Sequence, residues 1–279
     1  MSAPLKYHGG KTYLANEIIR RFPKHIHYVE PYFGGGAVLF AKPQKWIENH
    51  SEVVNDIYAE LMTFWKVLKF ETTFESFVRK VQATPFSESE WMYSAGVFSD
   101  DPVDLAVAMF VRLRQSRQGL GSWFATMSRS RTRRGMNEQV ASWLTAVEGL
   151  PEAHDRLRRV VMFNDEACRI IRQEDSPHTF FYLDPPYLPS TRKAKRTYRF
   201  EMTEDQHNEL LDTLSRIEGK FLLSGYGSAL YELARLENGW VRHDIVIDNK
   251  ASGAKTKARV TECLWANYSL DDAIKANAC

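Results

Sequence analysis

The stretch that most constrains this chain is Phe180-Phe181-Tyr182-Leu183-Asp184-Pro185-Pro186-Tyr187. Four apolar or aromatic residues without alternation predict a central strand covered on both faces. Pro185 and Pro186 have no backbone N–H, so a sheet ladder must end there. What remains is a stiff tip at the carboxyl end of a strand, presenting a carboxylate, a carbonyl and an aromatic ring. Ligands of open α/β sheets bind at that edge. An Asp-Pro pair alone reads as an acidic turn; the four residues together point to chemistry.

The rest of the chain has a strand–helix rhythm with one interruption. Strands are predicted at His27 to Glu30, Glu52 to Asn55, Val160 to Phe163, Phe221 to Ser224, Trp240 to Ile247 and Val260 to Tyr268. Helical patterns fall at Tyr13 to Phe22, Ala37 to Trp46, Ile57 to Phe70, Glu166 to Gln173, Thr203 to Ile217 and Ser228 to Leu236. Thr203 reads as an N-cap, with Glu204 and Asp205 in the first turn behind it. From about Glu71 to Arg159 helical patterns dominate and strand regularity disappears. The expectation is an α/β sheet with an antiparallel pair on its edge, built from residues 1–70 and 160–279, and an inserted helical subdomain over 71–159. The tail from Ser269 reads as a loose helix or as disordered.

Bulk properties exclude more than they identify. With 279 residues, a hydrophobic fraction of 44% and a net charge of +2, the chain reads as a soluble globular protein. A nucleic-acid signal must then come from local clustering of charge. Cys168, Cys263 and Cys279 have no metal-type spacing and no even-numbered framework, which predicts reduced thiols and a cytoplasmic setting. The histidines show no ligand spacing, so no metal is expected. Neither a signal peptide nor a membrane span is seen.

Three segments bear on a ligand. Glu30-Pro31-Tyr32-Phe33-Gly34-Gly35-Gly36 lies at a strand-to-helix junction, where glycines let a ligand approach the backbone. It matches neither a dinucleotide fingerprint nor a phosphate loop. An acid beside two rings suits a cation with a flat ring, such as S-adenosylmethionine (AdoMet); a ligand-free turn fits the loop equally well. Asp56 follows the second strand, where a carboxylate can take both ribose hydroxyls of a nucleoside or cap the next helix. Asp165 after the third strand invites the same two readings.

In order along the chain, Lys6-Tyr7-His8-Gly9-Gly10-Lys11, the glycine loop and Asp184-Pro185-Pro186-Tyr187 resemble the Dam-like adenine-specific (N6) DNA methyltransferases. Asn55-Asp56 and the ending Thr261 to Tyr268 match more weakly. The resemblance implies a Rossmann-like AdoMet-dependent methyltransferase sheet whose insert recognises the target, S-adenosyl-L-homocysteine as product, and a modification-system setting. It implies that Tyr7 and Lys11 contact the cofactor, with Glu30, Pro31, Phe33, Gly34 and Gly36 from the loop. Asp56 would hold the ribose, and Asp184 would be the catalytic acid lying close to the cofactor. The insert lacks the Asn-Arg and Phe-Asn-Gly signature associated with GATC-specific members, which leaves the target sequence open.

The chemistry stands on its own terms. An adenine amino group is a poor nucleophile because its lone pair is delocalised into the ring. Asp184 and the Pro185 carbonyl can each accept one amino hydrogen, localising that lone pair, while Pro186 stiffens the turn and Tyr187 stacks on the flipped base. Arg112, Arg114, Arg117, Arg129, Arg131, Arg133 and Arg134 form one basic cluster in a stretch without acids; Arg192, Lys193, Lys195, Arg196 and Arg199 form a second. Lys250 to Arg259 offers a third. Such runs are often plain solvated surface, but two of them flanking a base pocket predict duplex DNA as the partner; the sequence does not give the oligomeric state, with a monomer favoured. Trp46, Trp65, Trp91, Trp143, Trp240 and Trp265 are expected to pack rather than bind. Cytosine-amino or RNA methylation on the same scaffold, or a silent nucleic-acid-binding relative, are the competing readings.

Overall fold

The structure is a computed structural model that describes residues 1–125, 130–192, 199–248 and 259–278. Its strands in chain order are β1 (His27–Glu30), β2 (Ser51–Asn55), β3 (Thr132–Arg133), β4 (Met136–Asn137) and β5 (Val161–Phe163). They continue as β6 (Thr179–Leu183), β7 (Lys220–Gly225), β8 (Val241–Asp248) and β9 (Arg259–Ala266). The helices are α1 (Ala15–Ile19), α2 (Ala37–Ala41), α3 (Ala59–Lys69), α4 (Glu71–Ala83), α5 (Glu88–Tyr93) and α6 (Pro102–Arg114). After these come α7 (Glu138–Glu148), α8 (Leu150–Leu157), α9 (Ala167–Gln173), α10 (Glu204–Arg216), α11 (Ala229–Asn238) and α12 (Leu270–Ala278).

Two compact units share these elements, one comprising Met1–Asn16, Gly34–Gln44 and Tyr58–Asn164, the other Glu17–Phe33, Lys45–Ile57 and Asp165–Cys279. The first, unit 1, is mainly helical. Phe64, Phe77, Phe110 and Trp143 stack around one another with ring centroids 5.3–6.2 Å apart, joining α3, α4, α6 and α7. The His154 ring of α8 lies flat on Phe74 and hydrogen-bonds through Nδ1 with the Leu68 carbonyl at 2.7 Å. The grouping cuts across the expected limits at residues 71 and 159, because α2 and α3 belong to the same compact body as the helical segment.

Unit 2 holds a mixed, mostly parallel sheet whose strands run β2-β1-β6-β7-β9-β8. The pairs β1–β2, β1–β6 and β6–β7 are parallel, and β9 runs antiparallel to both β7 and β8. The expected antiparallel edge is therefore present, with the last strand inserted inside it. Every residue of β6 is buried. Phe22 packs on Phe180 and Tyr28 on one face of the sheet, while Tyr231 of α11 packs on Trp265 on the other. A central strand needs this double cover, and its unbroken apolar run supplies the surface for it.

Local differences from the sequence reading have local causes. The helix expected from Ala37 to Trp46 breaks after Ala41, since Pro43 cannot continue it, and resumes as a single 3₁₀ turn at Gln44–Trp46. The helix at Tyr13 to Phe22 contracts to Ala15–Ile19. The segment expected to be dominated by helices also contains a hairpin, β3 paired with β4, whose turn residues Arg134 and Gly135 have φ of 56° and 73°. Two positive φ angles make the tight turn that twisted hairpins favour, and strands two residues long leave no periodicity to read. The tail is a helix, α12, tied down by Asn277 Nδ2, which donates to the Arg20 and Phe22 carbonyls. Thr203 caps α10 as expected, with Gln206 completing a reciprocal capping box.

Candidate active site

The tip after β6 is built as its sequence demands. Asp184 emerges half-buried at the carboxyl end of the strand and Pro185 is buried behind it. Tyr187 turns back inward, with 6% of its surface exposed. Its hydroxyl donates towards Asp184 Oδ1 at 3.2 Å and also meets Glu262 Oε1 of β9. The Tyr187 ring packs edge-on against Tyr226, with centroids 4.7 Å apart. Burial, followed by the charges of Asp184 and Glu262, pushes the Tyr187 phenol well above its ordinary range, so it stays a neutral donor. A base platform was expected of this ring; here the ring is buried, its hydroxyl meets two carboxylates and Tyr226 lies across it at 72°.

Behind the tip, His207 of α10 is fully buried, and its Nδ1 lies 2.9 Å from the Tyr231 hydroxyl. Burial, reinforced by the charge of Arg192, holds the imidazole at about 4 against a contribution from the Pro186 backbone. The ring is therefore neutral at physiological pH. Tyr231, which burial keeps protonated, shares a hydrogen bond with Nδ1.

The carboxyl ends of β1 and β2 are tied by a side chain that the sequence reading passed over. Asn55 Nδ2 donates to the Pro31 carbonyl at 3.0 Å and to the Asp165 carbonyl at 2.9 Å, and its Oδ1 accepts from the Asp165 amide at 2.9 Å. The Phe33 amide in turn donates to the Asn55 carbonyl at 2.9 Å. Asp56 is half-buried immediately beyond, and the cap position of α3 is Tyr58. Asp56 therefore stands two residues before the N-cap position rather than in it. Asp165 behaves differently: its carboxylate accepts from the Glu166 amide at 2.8 Å and pairs with Arg169. It serves its own loop. Glu30 is buried and accepts the Tyr28 hydroxyl at 2.9 Å.

In unit 1 the glycine loop is shaped by Tyr7. A Cβ at Gly35 would lie 2.5 Å from Tyr7 Cβ, and Gly34 and Gly36 have positive φ of 49° and 68°. Only glycine fits this approach. Trp65 Nε1 donates to the Gly34 carbonyl at 3.1 Å. Lys11 is buried, with its Nζ 3.5 Å from the Gly9 carbonyl. The Lys6 ammonium donates to the Ser116 carbonyl at 3.1 Å, joining the N-terminal turn to the start of the arginine-rich segment.

The arginines divide by environment. Arg112 stacks on Trp91 at 3.8 Å, and the side chain of each donates to the other's backbone carbonyl. Arg114 donates to the Ser142 carbonyl, and burial lowers its guanidinium to about 10. Arg134 forms a two-pronged pair with Glu148, and Arg131 lies 3.8 Å from Glu138. Arg192, expected on the DNA face, is instead turned inward and held by Glu201. Arg117 and Arg133 are exposed. Arg129, Lys193, Lys195 and Arg196 lie outside the described residues, as does 250–258. The six tryptophans expected to pack are all buried.

Among the described residues no group of three acidic, histidine or cysteine side chains converges as a metal site would require, and no helix is long and apolar enough to cross a membrane. A family model for the D12 class of N6 adenine-specific DNA methyltransferase matches residues 7–100 and 136–244. The "Type II methyltransferase M1.LlaDCHI" of Lactococcus lactis subsp. cremoris is 26% identical over 284 residues, covering 94% of each chain. The "DNA adenine methylase" of Salmonella typhi is 24% identical over 278 residues, covering 93% of each. A local match, 41% identical over 71 residues, joins 23% of this chain to 24% of the "Type II methyltransferase M.MjaIII" of Methanocaldococcus jannaschii.

Proposed function

The chain belongs to the D12 class of N6 adenine-specific DNA methyltransferases, and from that premise we propose that Asp184 and the Pro185 carbonyl present the target amino group for methyl transfer. The enzyme methylates the exocyclic amine of adenine in DNA. The observation that carries the proposal is the turn at Asp184, where a half-buried carboxylate ends a fully buried strand. Two prolines then leave their carbonyls without a ladder to join.

AdoMet, when bound, supplies a methyl group activated by a sulfonium. The residues suit it. Asp56, just past the carboxyl end of β2, would accept from the ribose hydroxyls. Glu30, Pro31 and Phe33 form the acid-and-ring side of the same strand ends, with Asp165 held beside them through Asn55. Tyr7, Lys11, Gly34 and Gly36 are further proposed cofactor contacts. Transfer leaves S-adenosyl-L-homocysteine.

Each amino hydrogen of a flipped adenine would be taken by one acceptor, Asp184 Oδ or the Pro185 oxygen, which turns the nitrogen lone pair out of conjugation. The Tyr187 hydroxyl lies between this carboxylate and Glu262. The Tyr187 ring is the proposed stacking surface for the flipped base. Residues 71–159 are the proposed DNA-recognition segment, and 101–135, outside the family match, hold the arginines that would set the target sequence. The test is tritium transfer from AdoMet to unmethylated duplex DNA. Asp184→Ala is expected to abolish it with circular dichroism and melting preserved. Substantial methylation by that variant would sink the proposal.

A further inference from the structure

Glu262 is a buried carboxylate that the mechanism above does not use. It sits on β9, opposite Ile245 of β8 and one residue from Cys263, which pairs with Gly225 at the end of β7. Strand alternation puts Glu262 and Leu264 on the same sheet face as Ser224 and Tyr182. Tyr182 and Ser224 hydroxyls meet there at 3.2 Å, and the Tyr187 hydroxyl reaches Glu262 on that side. Only 1% of Glu262 is exposed. A carboxylate this deep is costly unless a donor answers it, and Tyr187 is such a donor.

The Tyr187 hydroxyl has one hydrogen and two carboxylates within reach, Glu262 and Asp184. A hydrogen given to Asp184 Oδ1 takes up one of its lone pairs and weakens that carboxylate as an acceptor for the adenine amino group. We propose that Glu262 is a positioning residue for methyl transfer: by accepting the Tyr187 hydrogen it leaves Asp184 the stronger acceptor for the substrate amino group and holds the Asp184-to-Tyr187 turn in its presenting geometry. The inference rests on the assignment of Asp184 as the amino-hydrogen acceptor.

The test uses the full chain, with single-turnover tritium transfer to unmethylated genomic DNA at saturating AdoMet. AdoMet affinity is measured by calorimetry and stability by thermal melting. Glu262→Leu is expected to slow the transfer step by about tenfold, the scale of one misdirected hydrogen bond, with AdoMet affinity unchanged. Glu262→Gln, which keeps an acceptor oxygen, should lose about threefold at most on the same scale. Removing the competing hydrogen should undo the damage, so Tyr187→Phe with Glu262→Leu should match Tyr187→Phe alone. A purely structural role predicts instead that rate losses follow the melting temperature or AdoMet affinity.

Transfer at the parental rate in Glu262→Leu, or additive losses in the double variant, overturns the inference. If the leucine variant does not fold, the glutamine variant with and without Tyr187→Phe carries the same comparison. Additive losses there overturn the inference, and vanishing of the Gln effect in the Phe background supports it. An active Asp184→Ala removes the acceptor assignment and the inference together. An inactive Asp184→Ala beside a fully active Glu262→Leu removes only the role given to Glu262.

Discussion

Replacing Asn55 by alanine tests whether one side chain holds the strand-end loops of the sheet together. Asn55 is fully buried and makes three side-chain hydrogen bonds, at 3.0, 2.9 and 2.9 Å, to the Pro31 carbonyl, the Asp165 carbonyl and the Asp165 amide. That pattern sets the amide orientation, because a flipped side chain would aim its oxygen at two carbonyls. Alanine strands all three backbone groups. The bond to Pro31 is buried, and a stranded buried acceptor costs about 1–3 kcal/mol. The two Asp165 groups are partly exposed, so water replaces part of the loss and each contributes about 0.5 kcal/mol. The expected destabilisation is about 2–4 kcal/mol, a large share of the roughly 5–15 kcal/mol that holds a domain folded. Asn55→Asp is the sharper variant. It keeps the shape and the acceptor for the Asp165 amide but faces both carbonyls with oxygen, so it should lose nearly as much. Urea unfolding followed by circular dichroism, with equal slopes across variants, measures both. Losses below about 1 kcal/mol in the two variants would refute the reasoning.

His207 gives a pH prediction. Its folded-state value of about 4 lies below the ordinary value of 6.5, so between those limits the unfolded chain binds the proton more readily. Stability should be complete above about pH 6.5 and fall towards pH 4, by up to about 3 kcal/mol. His207→Gln should flatten that part of the profile, and identical slopes for both proteins would exclude His207 as the cause. The arginines give a salt prediction. Arg117→Ala and Arg133→Ala should each lower the slope of log affinity for duplex DNA against log salt by about 1. Arg112→Ala and Arg134→Ala should act mainly on stability, through lost contacts to Trp91 and Glu148. Equal salt slopes in all four variants would remove the distinction.

What could be read along the chain is what short-range physics dictates. The unbroken Phe180 to Leu183 run announces a strand covered on both faces, and the prolines after Asp184 end the ladder without help from any other residue. Thr203 caps α10 through a residue three places on, so its capping box lies within one turn. Gly34 and Gly36 were legible as backbone freedom, though the ring that demands Gly35 belongs to Tyr7. The Arg134–Gly135 hairpin escaped because its strands are too short to show a period.

Partners far apart in sequence were decided only by folding. Glu262 meets Tyr187 across 75 positions, and Asn55 reaches Asp165 across 110. Neither spacing has a period that a sequence can display, because it depends on which strands the sheet places side by side. Charge shows the same limit. The run from Arg112 to Arg134 reads as one basic surface, yet Trp91, Ser142, Glu138 and Glu148 approach from other helices of the same unit and engage part of it. Residue order carries the propensity for each element and the chemistry of its tip. Which hydrogen each acceptor receives is set by packing, since burial makes an unanswered polar group too costly to leave alone.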